Sequence, residues 1–264
     1  MRIMITALVF FAVAGASAGI VSREIRYSAD STALRGYLVY DDSIHEKRPG
    51  IIVVPEWWGL TDYPQKRARM LAELGYVAFA ADMYGDGETA SNPDEARKYA
   101  GEVMGNPATM QARFMAAMNM LKQDEHVDAS QIGAIGYCFG GGVVLNMARA
   151  GADLRTVVSF HGTLSTQHPA TRGTVKPRVL VCNGADDKFN SPEDISKFKS
   201  EMDSADVPYK FVNYPGALHA FTNPDATELG KKFKMPIAYN AAADKKSWTE
   251  MQEWFRKSFR KHEE

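Results

Sequence analysis

Apolar residues along this chain follow two alternating patterns. Short runs, continuous or in every second position, are typical of strands, and longer segments in which apolar residues recur every three or four positions are typical of helices. Strands are predicted at 23–28, 34–40, 49–55, 76–82, 131–137, 155–162, 176–184 and 209–216. Helices are predicted at 63–74, on either side of Pro107 within 93–122, at 141–151, at 191–205 and at 240–261.

This alternation of strands and helices predicts an α/β fold. Continuous apolar runs such as PGIIVVP (49–55) indicate strands that are buried on both faces of a parallel sheet. The expected fold class is a doubly wound, mostly parallel sheet with helices on both faces. No linker-like stretch divides residues 19–264, so one domain is predicted there. In such sheets the functional site forms at the carboxyl ends of the strands.

The first eighteen residues differ from the rest of the chain. Arg2 precedes an apolar run that ends at Ala16-Ser17-Ala18. A positive start, a short apolar middle and an A-x-A site predict a secretory signal peptide over 1–18 and an exported protein, periplasmic or secreted. The alternative is an uncleaved anchor, which the short run and the cleavage site disfavour. No later run in the sequence is suited to span a membrane.

Composition restricts the binding partners. The chain has 264 residues and a formal net charge of −1, so no basic field would attract nucleic acid. No group of His, Cys and acidic residues has metal-ligand spacing, and neither a metal nor another cofactor is expected. Cys138 and Cys182 belong to different predicted strands, which makes a disulfide between them doubtful.

The stretch GAIGYCFGGG (133–142) carries the clearest chemical signal. Cys138 lies between a predicted strand and a predicted helix, with glycines two residues before and after it. This is the spacing of a nucleophile elbow, where flanking side chains would collide in a strained turn. The positive end of the following helix favours the thiolate. The alternatives are a buried structural cysteine and a dinucleotide-binding turn, although no acidic residue ends the next strand as the latter requires.

A cysteine nucleophile needs a base, and the base needs an orienting acid. His219 follows the last predicted strand and completes the chain order nucleophile, acid, histidine. His161 precedes every acid candidate, and it is either a pocket residue or a hydrogen-bonded structural one. Asp187 is the predicted acid because of its G-x-x-D spacing after a strand, with Asp186 as the alternative.

Attack on a carbonyl also needs two N–H groups aimed at the developing oxyanion. In this type of fold they come from the residue after the nucleophile and from the loop after the third strand. Those positions are Phe139 and Trp57. Glu56 directly follows the buried third strand, where a carboxylate costs desolvation energy unless something there uses it.

Together these residues resemble the dienelactone hydrolase family of α/β-hydrolases. The resemblance extends from about residue 23 to the last helix, and it rests on the G-Y-C-x-G-G elbow at 136–141, Glu56, the Asp187 turn and the G-A-x-H of 216–219. It implies an α/β-hydrolase fold and a triad of Cys138, His219 and Asp187. It also implies an oxyanion hole from the N–H groups of Trp57 and Phe139, and an interaction of Glu56 with the resting thiol.

The sequence departs from the family pattern where substrate would bind. The chlorocatechol-pathway enzymes hold a substrate carboxylate with arginines, but the matching stretches here, DMYGDGE and HAFTNP, contain none. A signal peptide is also unexpected for a cytoplasmic catabolic enzyme. The resemblance therefore implies the fold and the reaction class, but not dienelactone as the substrate.

The leading hypothesis is an exported hydrolase that cleaves a small-molecule carboxylic ester or lactone through a Cys-His-Asp triad and an acyl-enzyme. We expect it to act as a monomer without nucleic-acid partners. One alternative is an acyltransferase or peptidase on the same scaffold, which would share the triad. The other is a non-catalytic binding protein that retains the fold. The latter predicts slow alkylation of Cys138 at neutral pH, whereas an activated thiolate reacts quickly.

Overall fold

One eight-stranded sheet runs through the computed structural model, which describes residues 19–259. The predicted signal peptide at 1–18 lies outside the described residues. The strands are β1 (Ile20–Ala29), β2 (Thr32–Asp41), β3 (Arg48–Val54), β4 (Val77–Ala80), β5 (Val127–Tyr137), β6 (Thr156–Phe160), β7 (Arg178–Gly184) and β8 (Tyr209–Tyr214). The helices are α1 (Asp62–Glu73), α2 (Pro93–Met104), α3 (Pro107–Lys122), α4 (Phe139–Arg149), α5 (Pro192–Ser204), α6 (Ala226–Phe233) and α7 (Ala241–Ser258).

The sheet is mostly parallel, as predicted. Its strand order is β1-β2-β4-β3-β5-β6-β7-β8. Strand β2 pairs antiparallel with both β1 and β4, and every pairing from β4 to β8 is parallel. The expected fold class, a doubly wound sheet of the α/β-hydrolase type, is confirmed.

Alternating side chains of the central strands explain why the sheet has helices on both faces. On β3, Ile51 and Val53 pack in one core with residues of α1 and α7. Their neighbours Ile52 and Val54 pack in the opposite core with residues of α3, α4 and α5. Because both faces of the strand are buried, its sequence is a continuous apolar run rather than an alternating one.

The connection order creates a switch point beside β3. The chain passes from β3 to β4 on one side, and β5 then returns to pair with β3 on the other side. The carboxyl ends are in register, with Val54 opposite Gly136 and Phe160 opposite both Tyr137 and Cys182. Loops that leave β3, β5, β6 and β7 therefore start beside one another, and ligands of such sheets bind at this place.

Most elements differ from the predicted bounds by one to three residues, and the largest differences are at β5 and α6. Strand β5 begins at Val127 rather than at 131, since Val127 and Asp128 extend the pairing to Arg48 and Pro49 across a register shift. Helix α6 was not predicted: it has only eight residues, contains Gly230, and has no side-chain hydrogen bond at its N-cap. Within residues 19–259 no helix is long and apolar enough to cross a membrane.

Candidate active site

Cys138 occupies a strained turn between β5 and α4. Its φ of 53° and ψ of −114° lie in a region that residues with a Cβ seldom adopt. The glycines make the turn possible: a Cβ on Gly136 would lie 2.0 Å from the carbonyl oxygen of Gly140. A Cβ on Gly140 would lie 2.3 Å from the carbonyl oxygen of Val54. The elbow predicted from glycine spacing is therefore present, and it presses α4 against the end of β3.

Three side chains predicted to act together form one hydrogen-bonded chain. His219 Nε2 lies 3.0 Å from Cys138 Sγ, and His219 Nδ1 lies 2.8 Å from Asp187 Oδ2. The other oxygen, Asp187 Oδ1, accepts from the backbone N–H of Phe189 at 2.8 Å. Asp187 is buried whereas Asp186 is exposed, so the structure brings Asp187 and not Asp186 to the histidine.

The charges around His219 favour its protonated form. Burial alone lowers the pKa of His219, but the Cys138 sulfur and the Asp187 carboxylate outweigh burial and raise this pKa to about 10. At neutral pH the imidazole is therefore able to hold a proton on Nε2 beside the sulfur. Because Nδ1–H donates to Asp187, the ring orientation is fixed.

The backbone N–H groups of Trp57 and Phe139 have no hydrogen-bond partner among the described residues. Each of these N–H groups belongs to a peptide group whose carbonyl oxygen points the other way and accepts a backbone hydrogen bond. The Glu56 carbonyl accepts from Gly59 N–H at 3.0 Å, and the Cys138 carbonyl accepts from Gly142 N–H at 3.2 Å. Trp57 and Phe139 line the same cavity as Cys138, as an oxyanion hole requires.

Glu56 is buried beside the triad but is not hydrogen bonded to Cys138. Its Oε2 accepts from Asn223 Nδ2 at 2.6 Å, and its Oε1 has no hydrogen-bond partner among residues 19–259. Burial raises the pKa of Glu56 to about 7, although the Asn223 amide and the nearby His219 charge partly offset that effect. The thiol is paired with His219 instead, so the contact with Glu56 that the family resemblance implies is not made in this structure.

His161 has a larger role at the site than the sequence indicated. It is fully buried, and its Nδ1 accepts the backbone N–H of Cys138 at 3.1 Å, a donor shared with the Phe160 carbonyl at 3.0 Å. Its Nε2 lies 2.7 Å from Thr222 Oγ1, which in turn bonds Tyr63 Oη at 2.6 Å. The structure favours the hydrogen-bonded alternative for His161.

His161 is a neutral ring because of its surroundings. Burial, followed by the positive charges of His219 and Arg67, holds the pKa of His161 well below its usual range. With Nδ1 accepting from Cys138, the proton of the neutral ring lies on Nε2 and is donated to Thr222. The sequence signal was a histidine directly after a strand that neighbours the elbow strand, and its partners could not be found without the fold.

A cavity of about 410 Å³, here the catalytic cavity, opens above Cys138 and His219. Its walls are mainly aromatic and aliphatic, from Trp57, Trp58, Phe139, Phe189, Met235 and Ile237. The Phe189 ring is 53% exposed and packs 4.6 Å from the His219 ring, between centroids. Within residues 19–259 no cluster of His, Cys, Asp and Glu is arranged to hold a metal ion.

Comparison with known proteins points to one family. The family model described as "Dienelactone hydrolase family" matches residues 34–259. The crystal structure of a dienelactone hydrolase-like promiscuous phosphotriesterase from metagenomic libraries superposes with a TM-score of 0.86. It is 35% identical and covers 92% of this chain and 100% of that chain.

Two curated proteins are similar over most of their lengths. The "Putative carboxymethylenebutenolidase" of Methylorubrum extorquens is 26% identical over 218 residues, which are 79% of this chain and 72% of that protein. Protein usf of Aquifex pyrophilus is 29% identical over 224 residues, 82% of this chain and 94% of that protein.

Replacing Glu56 with glutamine tests the burial of its carboxyl group. The folded pKa of about 7 lies above the ordinary 4.5, so between these values the folded protein holds a proton that the unfolded chain has released. The contribution of Glu56 to the free energy of unfolding is then fully present below pH 4.5 and is lost as pH rises through 7, a change on the order of 3 kcal/mol. Urea titrations of Glu56→Gln across this range should lack this loss, so the free energy of unfolding of the parent should fall relative to that of the variant, in which the introduced amide oxygen still accepts from Asn223. Equal slopes for the two proteins would contradict the buried carboxyl.

Paired substitutions of His161 test the acceptor at Nδ1. In His161→Asn the side-chain oxygen replaces Nδ1 and retains the bond to Cys138 N–H, whereas His161→Gln retains only a donor near Thr222. We expect His161→Gln to lower kcat by about tenfold with KM little changed, the cost of one hydrogen bond at the nucleophile. His161→Asn should stay near the parent kcat.

The backbone of His161 needs a control in this comparison. Its φ is 40°, a conformation that Asn tolerates better than Gln. Urea unfolding therefore accompanies the kinetics, and kcat is referred to folded protein. Equal kcat losses in both variants would show that the acceptor does not matter.

Proposed function

Because the chain belongs to the dienelactone hydrolase family and is a hydrolase of carboxylic ester or lactone bonds, we propose that it cleaves them through an acyl-enzyme on Cys138. The observation that carries this proposal is the unbroken series of hydrogen bonds from Asp187 through His219 to the Cys138 sulfur. This series ends in an apolar cavity, where substrate would exclude water.

In the first step the Cys138 thiolate attacks the carbonyl carbon of the ester. A C–S bond forms, and the C=O electron pair moves onto oxygen, where the N–H groups of Trp57 and Phe139 stabilise it. The tetrahedral intermediate then collapses, and the bond to the alcohol oxygen breaks. His219 gives its Nε2 proton to that oxygen, which suits a histidine that is protonated at rest.

In the second step water releases the acyl group. His219 Nε2, now neutral, accepts a proton from a water molecule as its oxygen attacks the thioester carbonyl. The same two N–H groups stabilise the second oxyanion. The C–S bond breaks, the carboxylic acid leaves, and the thiolate again faces protonated His219. Asp187 holds the ring orientation throughout and stabilises its positive charge.

A phosphotriester is a second candidate substrate class. The dienelactone hydrolase-like protein that is 35% identical to this chain, over 92% of this chain, is described as a promiscuous phosphotriesterase. Thiolate attack on phosphorus would use the same nucleophile and the same oxyanion donors. Acyl transfer and peptide cleavage remain alternatives that share the triad, and a panel of acceptors and amides distinguishes them from ester hydrolysis.

We also propose that the protein is exported, periplasmic or secreted. This rests on Arg2, the apolar run that follows it and the A-x-A site ending at Ala18. Expression of the full chain in a Gram-negative host should yield periplasmic protein whose N-terminal residue is Gly19. Active protein that remains in the cytoplasm with Met1 intact would contradict export.

Substitution of the two cysteines tests the nucleophile. We expect Cys138→Ala to lower kcat/KM for aryl esters at least about 1,000-fold, because no other group can form the acyl-enzyme. Cys182→Ala is the matched control, since Cys182 is fully buried in β7 and its sulfur accepts a long hydrogen bond from the Tyr214 hydroxyl, at 3.6 Å. Its turnover should be unchanged. Full ester turnover by Cys138→Ala would overturn the proposal.

A further inference from the structure

A second cavity adjoins the catalytic cavity. It has a volume of about 690 Å³ and lies between the start of α3, the C-terminal half of α4 and the loop 163–169. Met104, at the end of α2, and Thr163, in the loop after β6, line both cavities. The two cavities therefore meet at these two side chains.

The two cavities differ in polarity. The catalytic cavity presents aromatic rings and aliphatic chains to a ligand. The second cavity also has apolar walls, from Pro107, Met110 and Pro169, but it adds amide, hydroxyl and imidazole groups, from Gln111, Asn146, Ser165, Thr166, Gln167 and His168. A ligand that fills both should have one apolar end and one end rich in hydrogen-bonding groups.

The charged groups of the second cavity do not favour an anionic ligand group. Arg149 is the only Lys, Arg, Asp or Glu among the described residues that line it. Its guanidinium is already paired with both carboxylate oxygens of Glu201, at 2.8 and 2.9 Å, and it donates to the Leu164 carbonyl at 2.8 Å. No unpaired cation is left for a carboxylate or a phosphate among these described lining residues, so a neutral group suits the cavity.

Asn146 offers preoriented donors in this wall. Its Oδ1 accepts from Arg149 Nη1 at 3.1 Å and from Thr166 Oγ1 at 3.0 Å, which fixes the amide orientation because both partners donate. Its Nδ2 has no hydrogen-bond partner among residues 19–259. Two N–H donors held in this way match the lone pairs of ligand hydroxyls.

On the basis of the proposed function, we propose that the second cavity binds a neutral, hydroxyl-rich group such as a sugar. That group would be one end of an ester whose apolar end lies near Cys138. A hydroxyl-rich group can belong either to the alcohol or to the acyl part of the ester, and the two cases are separated by the choice of substrates.

The experiment compares three esters with the mature protein. Methyl benzoate fills only the catalytic cavity, 6-O-benzoylglucose carries the sugar on the alcohol side, and benzyl gluconate carries the hydroxyls on the acyl side. We expect kcat/KM for one of the two hydroxyl-rich esters to exceed that for methyl benzoate about tenfold, the effect of one or two added hydrogen bonds. The hydroxyl-rich ester whose rate falls in variants of the second cavity identifies which end occupies that cavity.

Two variants test whether the preference for a hydroxyl-rich ester arises in the second cavity. Asn146→Asp retains an acceptor for Arg149 but removes the two N–H donors, and Gln111→Ala removes an exposed amide. Each should lower the preference for the hydroxyl-rich ester several-fold while methyl benzoate turnover is unchanged. Asn119→Ala, an exposed position farther along the same helix α3, should alter neither rate.

Failure of this proposal differs from failure of the proposed function. Methyl benzoate turnover that depends on Cys138, with no preference for either hydroxyl-rich ester or with equal losses on all three esters in the variants, overturns the second-cavity proposal alone. Turnover that does not depend on Cys138 overturns the proposed function itself.

Discussion

Cys138 adopts a backbone conformation that costs on the order of 1–3 kcal/mol, and hydrogen bonds and close backbone packing around the turn stabilise this conformation. The N–H of Cys138 is shared between the Phe160 carbonyl and His161 Nδ1, while its carbonyl accepts from Gly142. Gly136 and Gly140 let α4 approach β5 and β3 more closely than any side chain would permit. Neighbouring strands of one sheet thus stabilise the strained turn. This turn directs the Cys138 sulfur towards His219.

Two buried histidines flank this turn with opposite electrostatic states. Their ring centroids are 5.3 Å apart. The Cys138 sulfur and the Asp187 carboxylate outweigh burial and favour a proton on His219, whereas burial, followed by the positive charge of His219, opposes a proton on His161. One ring is therefore suited to exchange protons with a substrate, and the other to remain a fixed acceptor. Both rings are buried, and their protonation states differ because the negatively charged partners, Cys138 and Asp187, lie beside His219.

The main features of fold and site were predictable from the sequence because they depend on local patterns and chain order. Continuous apolar runs indicated doubly buried strands, and the glycine spacing indicated the elbow. Since parallel strands end at the same edge, residues just after strands could be grouped without coordinates. The choice of Asp187 over Asp186 rested on spacing alone, and in the structure it is Asp187 that lies within hydrogen-bond distance of His219.

Contacts between distant segments were not predictable in this way. The hydrogen bonds of Glu56 with Asn223 and of His161 with Thr222 join parts of the chain that have no local signature in common. Helix α6 was missed for a different reason. It has only eight residues and no side-chain hydrogen bond at its N-cap, so its helical signal in the sequence is weak.

Covalent capture tests the role of Cys138 most directly. The purified protein is mixed with an aryl ester that deacylates slowly and is quenched in acid within milliseconds. The quenched protein is then analysed by intact-mass and peptide mass spectrometry. Acyl transfer to the sulfur predicts one added acyl mass per molecule, on the peptide that contains Cys138, at the same time as a burst of one equivalent of phenol. A full burst with that peptide unmodified, or with the acyl group on Cys182 or another residue, would contradict it.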